Sequence, residues 1–146
     1  MTQTKTTNSQ TSIHKFFNRQ RDGEFKQWHD NGQLITHSHF ANGGFHGEHK
    51  RWYENGQLCV HMNYVNDQQH GEYKCWYKNG QMDIQGYYVD GKLHGEYKAW
   101  NIQGDLTRHS FWLRGKDVTA EVVKLVKDIN NITQEERILM KLVIGC

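Results

Sequence analysis

A 24-residue period is the sequence feature that most constrains what this chain can fold into. The segment Gly-Glu-Phe-Lys-Gln-Trp-His-Asp-Asn-Gly-Gln-Leu begins at Gly23 and returns with close variants at Gly47, Gly71 and Gly95, without an insertion. An aromatic ladder keeps the same spacing through Phe40, Tyr64, Tyr88 and Trp112, with Phe16 one step earlier. Self-similarity at a fixed period of this length indicates a repeat array in which each unit contacts its neighbours.

Each unit contains two short alternating segments separated by glycine turns, which predicts two strands per repeat. We therefore expect a mainly β fold, an elongated antiparallel β-meander of about nine strands with a C-terminal α-helical cap. The apolar share of 36% is too low for a thick core, and the many aromatic rings suit a thin sheet. The expected boundaries are 1–10 for a disordered N-terminus, 11–117 for the β-ribbon (half-repeat 11–17, repeats 23–46, 47–70, 71–94 and 95–117, six-residue connections) and 118–146 for the cap.

The turn inside each repeat decides which side chains share a face of the sheet. A two-residue Asn-Gly turn would place His29 opposite Leu34, whereas a three-residue turn with a left-handed glycine places Trp28 opposite Leu34. We expect the three-residue turn, because it gathers the Trp, Leu or Met and aromatic ladders on one face. The further members of that face would be Val60, Met62 and Ile84.

The repeat resembles the MORN repeat, especially the variant with a Trp-Tyr-x-Asn-Gly-Gln-Leu signature, which stands here at 52–58 and 76–82 with Met in the last place of the second copy. The resemblance covers residues 23–117, and its departure is Gly-Glu-x where the conventional repeat has Gly-x-Gly. It implies a non-enzymatic scaffold or protein-binding module. Arrays of this variant are abundant in bacteria and in large DNA viruses of amoebae. Some bacterial members are described as antitoxins, and family members have been linked to end-to-end dimers and to phospholipid headgroups.

Composition and motifs exclude several classes of protein. A net charge of +2 gives no strong field for nucleic acid. The chain has no catalytic or phosphate-binding motif of the common kinds, so we expect no enzyme, no catalytic residue and no cofactor. Three cysteines at unrelated spacings argue against a disulfide framework. With no signal peptide or membrane span in view, we expect a soluble intracellular protein, in the host cytoplasm if the source is a virus.

The expected partner surface is a set of aromatic side chains on the face opposite the Trp row, where exposed rings commonly mark binding surfaces. Its members are Tyr53, Tyr73, Tyr77, Tyr87, Tyr97 and Phe111. The alternative is that these rings only cover sheet backbone. The Glu and Lys ladders that begin at Glu24 and Lys26 are interpreted as surface charge, with a lipid-headgroup site as the alternative.

No metal site is expected, although one candidate set follows from the assumed register. If the pairing of Trp52 with Leu58 continues along both strands of the second repeat without a shift, His49 lies opposite His61. If equivalent pairing holds in the third repeat and across the connections between repeats, His39, Cys75 and Asp83 lie in the same row of side chains. The periodic histidines His46, His70 and His94 are interpreted as turn residues, because copies about 9.5 Å apart cannot share an ion.

Two helices are expected after the repeats end at Val118. The first, over about 119–129, would place Val122, Leu125, Val126 and Ile129 on one stripe. The second opens with a capping box at Thr133, and its apolar residues are Ile138, Leu139, Leu142, Val143 and Ile144. We interpret both as a cap on the last strand, with a homodimer interface as the second reading. A membrane-surface helix comes third, because Lys124, Lys127 and Lys141 are few and scattered.

Overall fold

The computed structural model describes residues 12–14, 22–133 and 136, which form one antiparallel sheet followed by a helix. The sheet order is β1-β2-β3-β4-β5-β6-β7-β9-β10-β11, with β8 paired to β7. The elements are β1 (Ser12–His14), β2 (Gly23–Trp28), β3 (Leu34–Ala41), β4 (Gly44–Trp52), β5 (Leu58–Val65), β6 (Gln68–Trp76), β7 (Met82–Val89), β8 (Lys92–Leu93), β9 (Gly95–Trp100), β10 (Leu106–Leu113), β11 (Lys116–Asp117) and α1 (Thr119–Asn131). The predicted β-meander is confirmed, and the two strands beyond the expected nine are the short β8 and β11.

The turn inside each repeat has the predicted three-residue form. In the first repeat the His29 amide donates to the Gln33 carbonyl at 2.8 Å, and the Gly32 amide donates to the His29 carbonyl at 2.9 Å. Gly32 has φ +83°, a left-handed conformation that residues with a Cβ rarely adopt. The Asn31 side chain accepts from the Gln33 amide at 2.9 Å and donates to the Glu54 carbonyl at 3.2 Å. The asparagine of the Asn-Gly pair therefore ties its own turn to the turn of the next repeat.

The predicted pairing of each Trp is confirmed, but the register does not extend unchanged along the strands. Trp52 is the ladder partner of Leu58, whereas Arg51 already pairs with Val60. Cys59 is therefore an extra residue, a bulge that shifts the pairing by one. The equivalent pairs are Trp28 with Leu34, Trp76 with Met82 and Trp100 with Leu106, each followed by the same shift.

A two-residue turn joins consecutive repeats, in place of the expected six-residue connection. Val65 and Gln68 pair directly, and the intervening Asn66 and Asp67 have φ of 50° and 64°. Left-handed conformation at both positions is what a type I′ hairpin turn requires. The other connections have turns of the same kind between Ala41 and Gly44, Val89 and Lys92, and Leu113 and Lys116.

One face of the sheet, which we term the aromatic face, carries the ring ladder. Its described members include Phe25, Phe40, Phe45, His49, Tyr64, Tyr73, Tyr88, Tyr97 and Trp112. Phe45 stacks on Tyr64 with ring centroids 5.1 Å apart, and Tyr73 meets Tyr88 edge-on at 5.7 Å. Among the described residues the most buried side chain is small: Ser38 is 2% exposed between its larger neighbours. Large rings over small residues thus replace a two-layer core.

Helix α1 follows β11, so the expected helix at the C-terminal end of the array is confirmed, although most of its apolar stripe is exposed rather than packed on the sheet. The Thr119 hydroxyl accepts a hydrogen bond from the Phe111 amide at 2.8 Å, which anchors the helix to β10. The capping box at the start of the second expected helix is present, because Glu136 Oε2 lies 2.8 Å from the Thr133 hydroxyl. Ile138, Leu139, Leu142, Val143 and Ile144, like Lys141, Phe16 and residues 1–10, lie outside the described residues. No helix in the described part of the chain has the length and apolarity needed to cross a membrane.

Candidate functional site

The second face of the sheet, which we term the charged face, carries a row of basic and polar side chains that crosses eight strands. Ladder pairs connect each member to the next, from β2 to β10. The members are Lys26, His37, Lys50, His61, Lys74, Gln85, Lys98 and His109. A parallel row of glutamates, at Glu24, Glu48, Glu72 and Glu96, lies two residues before each lysine.

Each lysine of the charged face is paired with the glutamate of its own strand. The Nζ to Oε distance is 2.6 Å for Lys26 and Glu24 and 2.8 Å for Lys50 and Glu48, and it is also 2.8 Å in the third and fourth repeats. The hydrogen bond from lysine is the main cause that lowers the pKa of each of these four carboxyl groups. Positive and negative charge therefore alternate along this face.

In the first repeat, two imidazoles lie beside one carboxylate. Glu24 on β2 is the ladder partner of His39 on β3, and His37 precedes His39 by two residues on β3. Glu24 Oε1 lies 3.6 Å from His37 Nε2 and 3.7 Å from His39 Nε2, and one potential ligand atom from each residue lies within 4.8 Å of the others. Burial is the main cause that lowers the pKa of His37, followed by the nearby Lys26. These three residues are the described group that could hold a metal ion.

The metal candidate set inferred from the sequence, His39, His49 and His61, is wrong as a row. The bulge makes His49 pair with Met62 and makes His61 pair with Lys50, so the two histidines lie on opposite faces. On the other side, His49 pairs with Ser38 rather than His39, and its Nδ1 lies 2.8 Å from the serine hydroxyl oxygen. His49 is part of the aromatic face.

The β5–β6 register and the bulge of the third repeat separate the other expected members of that row. Cys75 pairs with Val60 and Ile84, not with His61 and Asp83. The alternation of side chains along a strand turns a shift of one residue into a change of face. The sequence does not mark where the extra residue enters the ladder.

The six aromatic side chains predicted to form one partner surface are divided by the structure. Tyr73 and Tyr97 lie on the aromatic face, whereas Tyr87 and Phe111 lie on the charged face opposite Glu72 and Glu96. Tyr53 and Tyr77 follow the Trp residues, and their hydroxyls donate to the carbonyls of Trp76 and Trp100, both at 2.8 Å. These two tyrosines therefore link consecutive repeats, and Tyr87, at 42% exposure, remains open to solvent.

A shallow hollow lies beside Tyr87 on the charged face, between the third and fourth repeats. Its lining residues are Glu72, Gln85, Gly86, Tyr87, Glu96 and Lys98. Its volume of about 170 Å³ is below the roughly 300 Å³ at which small-molecule sites begin.

Exposed apolar side chains concentrate at the C-terminal end of the array. Of nine large apolar residues that are exposed in the described part of the chain, seven lie between 102 and 129. They are Ile102, Leu106, Leu113, Val123, Leu125, Val126 and Ile129. Val122 is the half-buried residue of the stripe predicted for α1, while Leu125 is 59% exposed. The exposed apolar side chains therefore lie in the turn before β10, at the two ends of β10 and on α1.

The same end of the array has a strand edge that is partly unpaired. The Phe111 amide donates to the Thr119 hydroxyl and its carbonyl accepts from the Val118 amide at 2.8 Å, so its backbone groups point away from β9. Alternate residues of a strand direct their backbone groups to the same side. His109 therefore presents its backbone groups at this edge, where β11 pairs only with the last two residues of β10 among the described residues.

Comparison with protein-family models gives three consecutive matches to the MORN repeat variant, over residues 21–42, 45–66 and 69–90. No curated protein matches this chain. Among solved structures, an S. aureus TarM mutant bound to fondaparinux, alpha-GlcNAc-glycerol and UDP is 11% identical, with a TM-score of 0.42, 81% of this chain covered and 23% of that chain. A second TarM crystal structure is 12% identical, with the same TM-score and coverage. This chain therefore spans less than a quarter of the length of those structures.

Proposed function

The chain is a MORN repeat protein, and on that premise we propose that it is a non-enzymatic scaffold that binds a partner protein at the C-terminal end of its array. The observation that carries the proposal is the concentration of exposed apolar side chains on β10 and α1. Exposed apolar side chains that are concentrated in one region often mark protein-binding sites. The occupant we propose is a protein segment whose own apolar side chains pack against these exposed residues.

The open edge of β10 supports an extended strand as that segment. His109 offers a backbone donor and a backbone acceptor at this edge, and Leu106, 51% exposed, lies on the same strand. Addition of a strand to a sheet edge satisfies such groups, and alternate side-chain contacts then give specificity. The occupant we propose is a strand of another protein with apolar residues on one side.

The carboxylates of the charged face support a role without catalysis. A general acid that works near neutral pH needs a raised pKa, whereas lysine lowers the pKa of Glu24, Glu48, Glu72 and Glu96. The paired lysines also weaken the lipid-headgroup alternative, because each positive charge has a carboxylate within 2.8 Å. The antitoxin-like alternative is a special case of partner binding in which the partner is an enzyme.

A photo-crosslinking experiment tests the proposal with a matched control. A crosslinker placed at Leu106 or Leu125 should capture a protein in native cells that a crosslinker at Val65, exposed but interior, does not capture. The purified partner should then bind the wild type and Val65→Glu alike, and bind Leu106→Glu at least about tenfold more weakly. Equal binding by both variants would refute the site.

Two further measurements separate the alternatives. Loss of the partner's enzymatic activity on binding would identify an inhibitor. Sedimentation with anionic liposomes that weakens with salt would favour the lipid adaptor instead. Capture of a second copy of the chain, with self-association that Leu106→Glu abolishes, would identify the partner as the chain itself.

A further inference from the structure

We propose that Glu24, His37 and His39 form a binding site for one divalent transition-metal ion, with Zn²⁺ as the expected occupant. The three residues come from adjacent strands, β2 and β3, on the charged face. Two imidazole nitrogens and a carboxylate oxygen are a donor set that suits zinc and its first-row neighbours. Three protein ligands leave a fourth position for water or for a side chain of a bound protein.

The distances between the ligand atoms are close to those that a bound ion requires. Ligand bonds of about 2.0–2.2 Å in tetrahedral geometry separate neighbouring ligand atoms by about 3.4 Å. Glu24 Oε1 lies 3.6 Å from His37 Nε2 and 3.7 Å from His39 Nε2. The two imidazole rings are near each other as well, with centroids 4.7 Å apart. Small side-chain rotations would therefore bring the donors together around one ion.

The surroundings orient two of the three ligands. His39 Nδ1 lies 3.2 Å from the Glu48 carbonyl oxygen, which can only accept, so Nδ1 carries the proton. This leaves a lone pair on His39 Nε2, the atom that faces Glu24. A backbone carbonyl holding the far nitrogen is the usual outer contact of a metal-binding histidine. Lys26 occupies the other oxygen of Glu24, Oε2, at 2.6 Å, and leaves Oε1 for the ion.

His37 supplies a further potential ligand atom, Nε2, close to Glu24 Oε1. Its Nε2 is buried and has no hydrogen-bond partner among the described residues, since Glu24 Oε1 is beyond hydrogen-bonding distance. A buried polar atom without a partner is costly, and a bound ion would remove that cost.

The other repeats lack the second imidazole. The position of His39 is taken by Asn63, Tyr87 and Phe111 in the later repeats, although His61 lies 3.2 Å from Glu48 and His109 2.8 Å from Glu96. A glutamate with a single histidine offers only two ligands. We therefore expect one metal site per chain, in the first repeat.

Calorimetric titration of the full chain with Zn²⁺ tests the proposal. The wild type should bind one ion, and Glu24→Gln and His39→Asn should each weaken binding at least about tenfold. His39→Asn introduces the residue that the second repeat has at this position, so the backbone tolerates it. The control His61→Gln, which copies the third repeat, should keep the wild-type affinity.

A gain-of-site variant tests the same geometry independently of folding defects in the loss variants. Asn63→His places a second imidazole beside His61 and Glu48 and should raise the stoichiometry from one ion to two. Thermal unfolding of every variant checks that the fold is retained. Unchanged binding in both loss variants, an equal loss in His61→Gln, or no second ion in folded Asn63→His would overturn the proposal.

Discussion

Strands β5 and β10 occupy equivalent places in the second and fourth repeats, but their side chains are exposed to different degrees. In β5 every residue but Val65 is at least half-buried, whereas in β10 the first four residues are all exposed. The leucines that begin these strands have the same ladder partner, a tryptophan. The two strands thus share a sequence pattern, but their side chains differ in solvent exposure.

The difference arises because β5 lies between two complete strands and β10 does not. β5 pairs with β4 and β6 along most of its length, while β10 pairs with β9 and with the two-residue β11. In a sheet without a second layer, neighbouring strands supply most of the burial. The same side chain is therefore partly buried in the interior of the array and exposed to solvent at its end.

The largest expected effect tests the tryptophans. Trp76→Ala should cost about 2–3 kcal/mol of unfolding free energy, below the range for a fully buried ring because Trp76 is half-buried. Trp100→Ala should cost about half as much, since no further repeat follows it. Denaturant unfolding of both variants measures the difference. Equal losses would break the contrast between interior and end.

A second comparison uses the leucines that begin the two strands. Leu58→Ala should cost about 1–2 kcal/mol, because the side chain is half-buried. Leu106→Ala should cost less than about 0.5 kcal/mol, because Leu106 is 51% exposed. Melting temperatures of the two variants check the order. A loss at Leu106 as large as that at Leu58 would show that its surface is covered within the monomer.

The anchor of α1 should matter locally rather than globally. Thr119→Val removes the acceptor for the Phe111 amide and should cost about 1 kcal/mol. Amide hydrogen exchange should become faster in α1 and β11, while β4 to β7 keep their protection. The contrary result, faster exchange throughout the sheet, would mean that the terminal helix stabilises the interior repeats.

The smallest effect concerns pH and lies in the interior. Burial, followed by the nearby Arg51, lowers the pKa of His49 from its ordinary 6.5. The folded state then binds fewer protons than the unfolded chain, so this stabilisation is complete above about pH 6.5 and is lost as pH falls below it. His49→Tyr copies the third and fourth repeats, which have Tyr73 and Tyr97 at this position. Its unfolding free energy should fall less than the wild type's between about pH 7.5 and 5.5, and an identical decline would contradict the assignment.

The sequence alone determined the repeat, its two strands, the family and the pairing of Trp52 with Leu58. These features rest on local information: the period, side-chain alternation and the glycine that the three-residue turn requires. The capping box at Thr133 belongs to the same class, because its two partners are three residues apart. Repetition strengthened the inferences about the repeat, since the same pattern occurs four times.

Only the tertiary structure decided which face each histidine occupies and which surface is left open. A single extra residue, Cys59 in the second repeat, moves His49 and His61 to opposite faces, and no residue type marks such a bulge. The proximity of Glu24, His37 and His39 depends on the same shift in the first repeat. The exposure of Leu106 depends on which strand lies beside β10. The sequence of one repeat does not contain this information, because equivalent residues of different repeats have different neighbours.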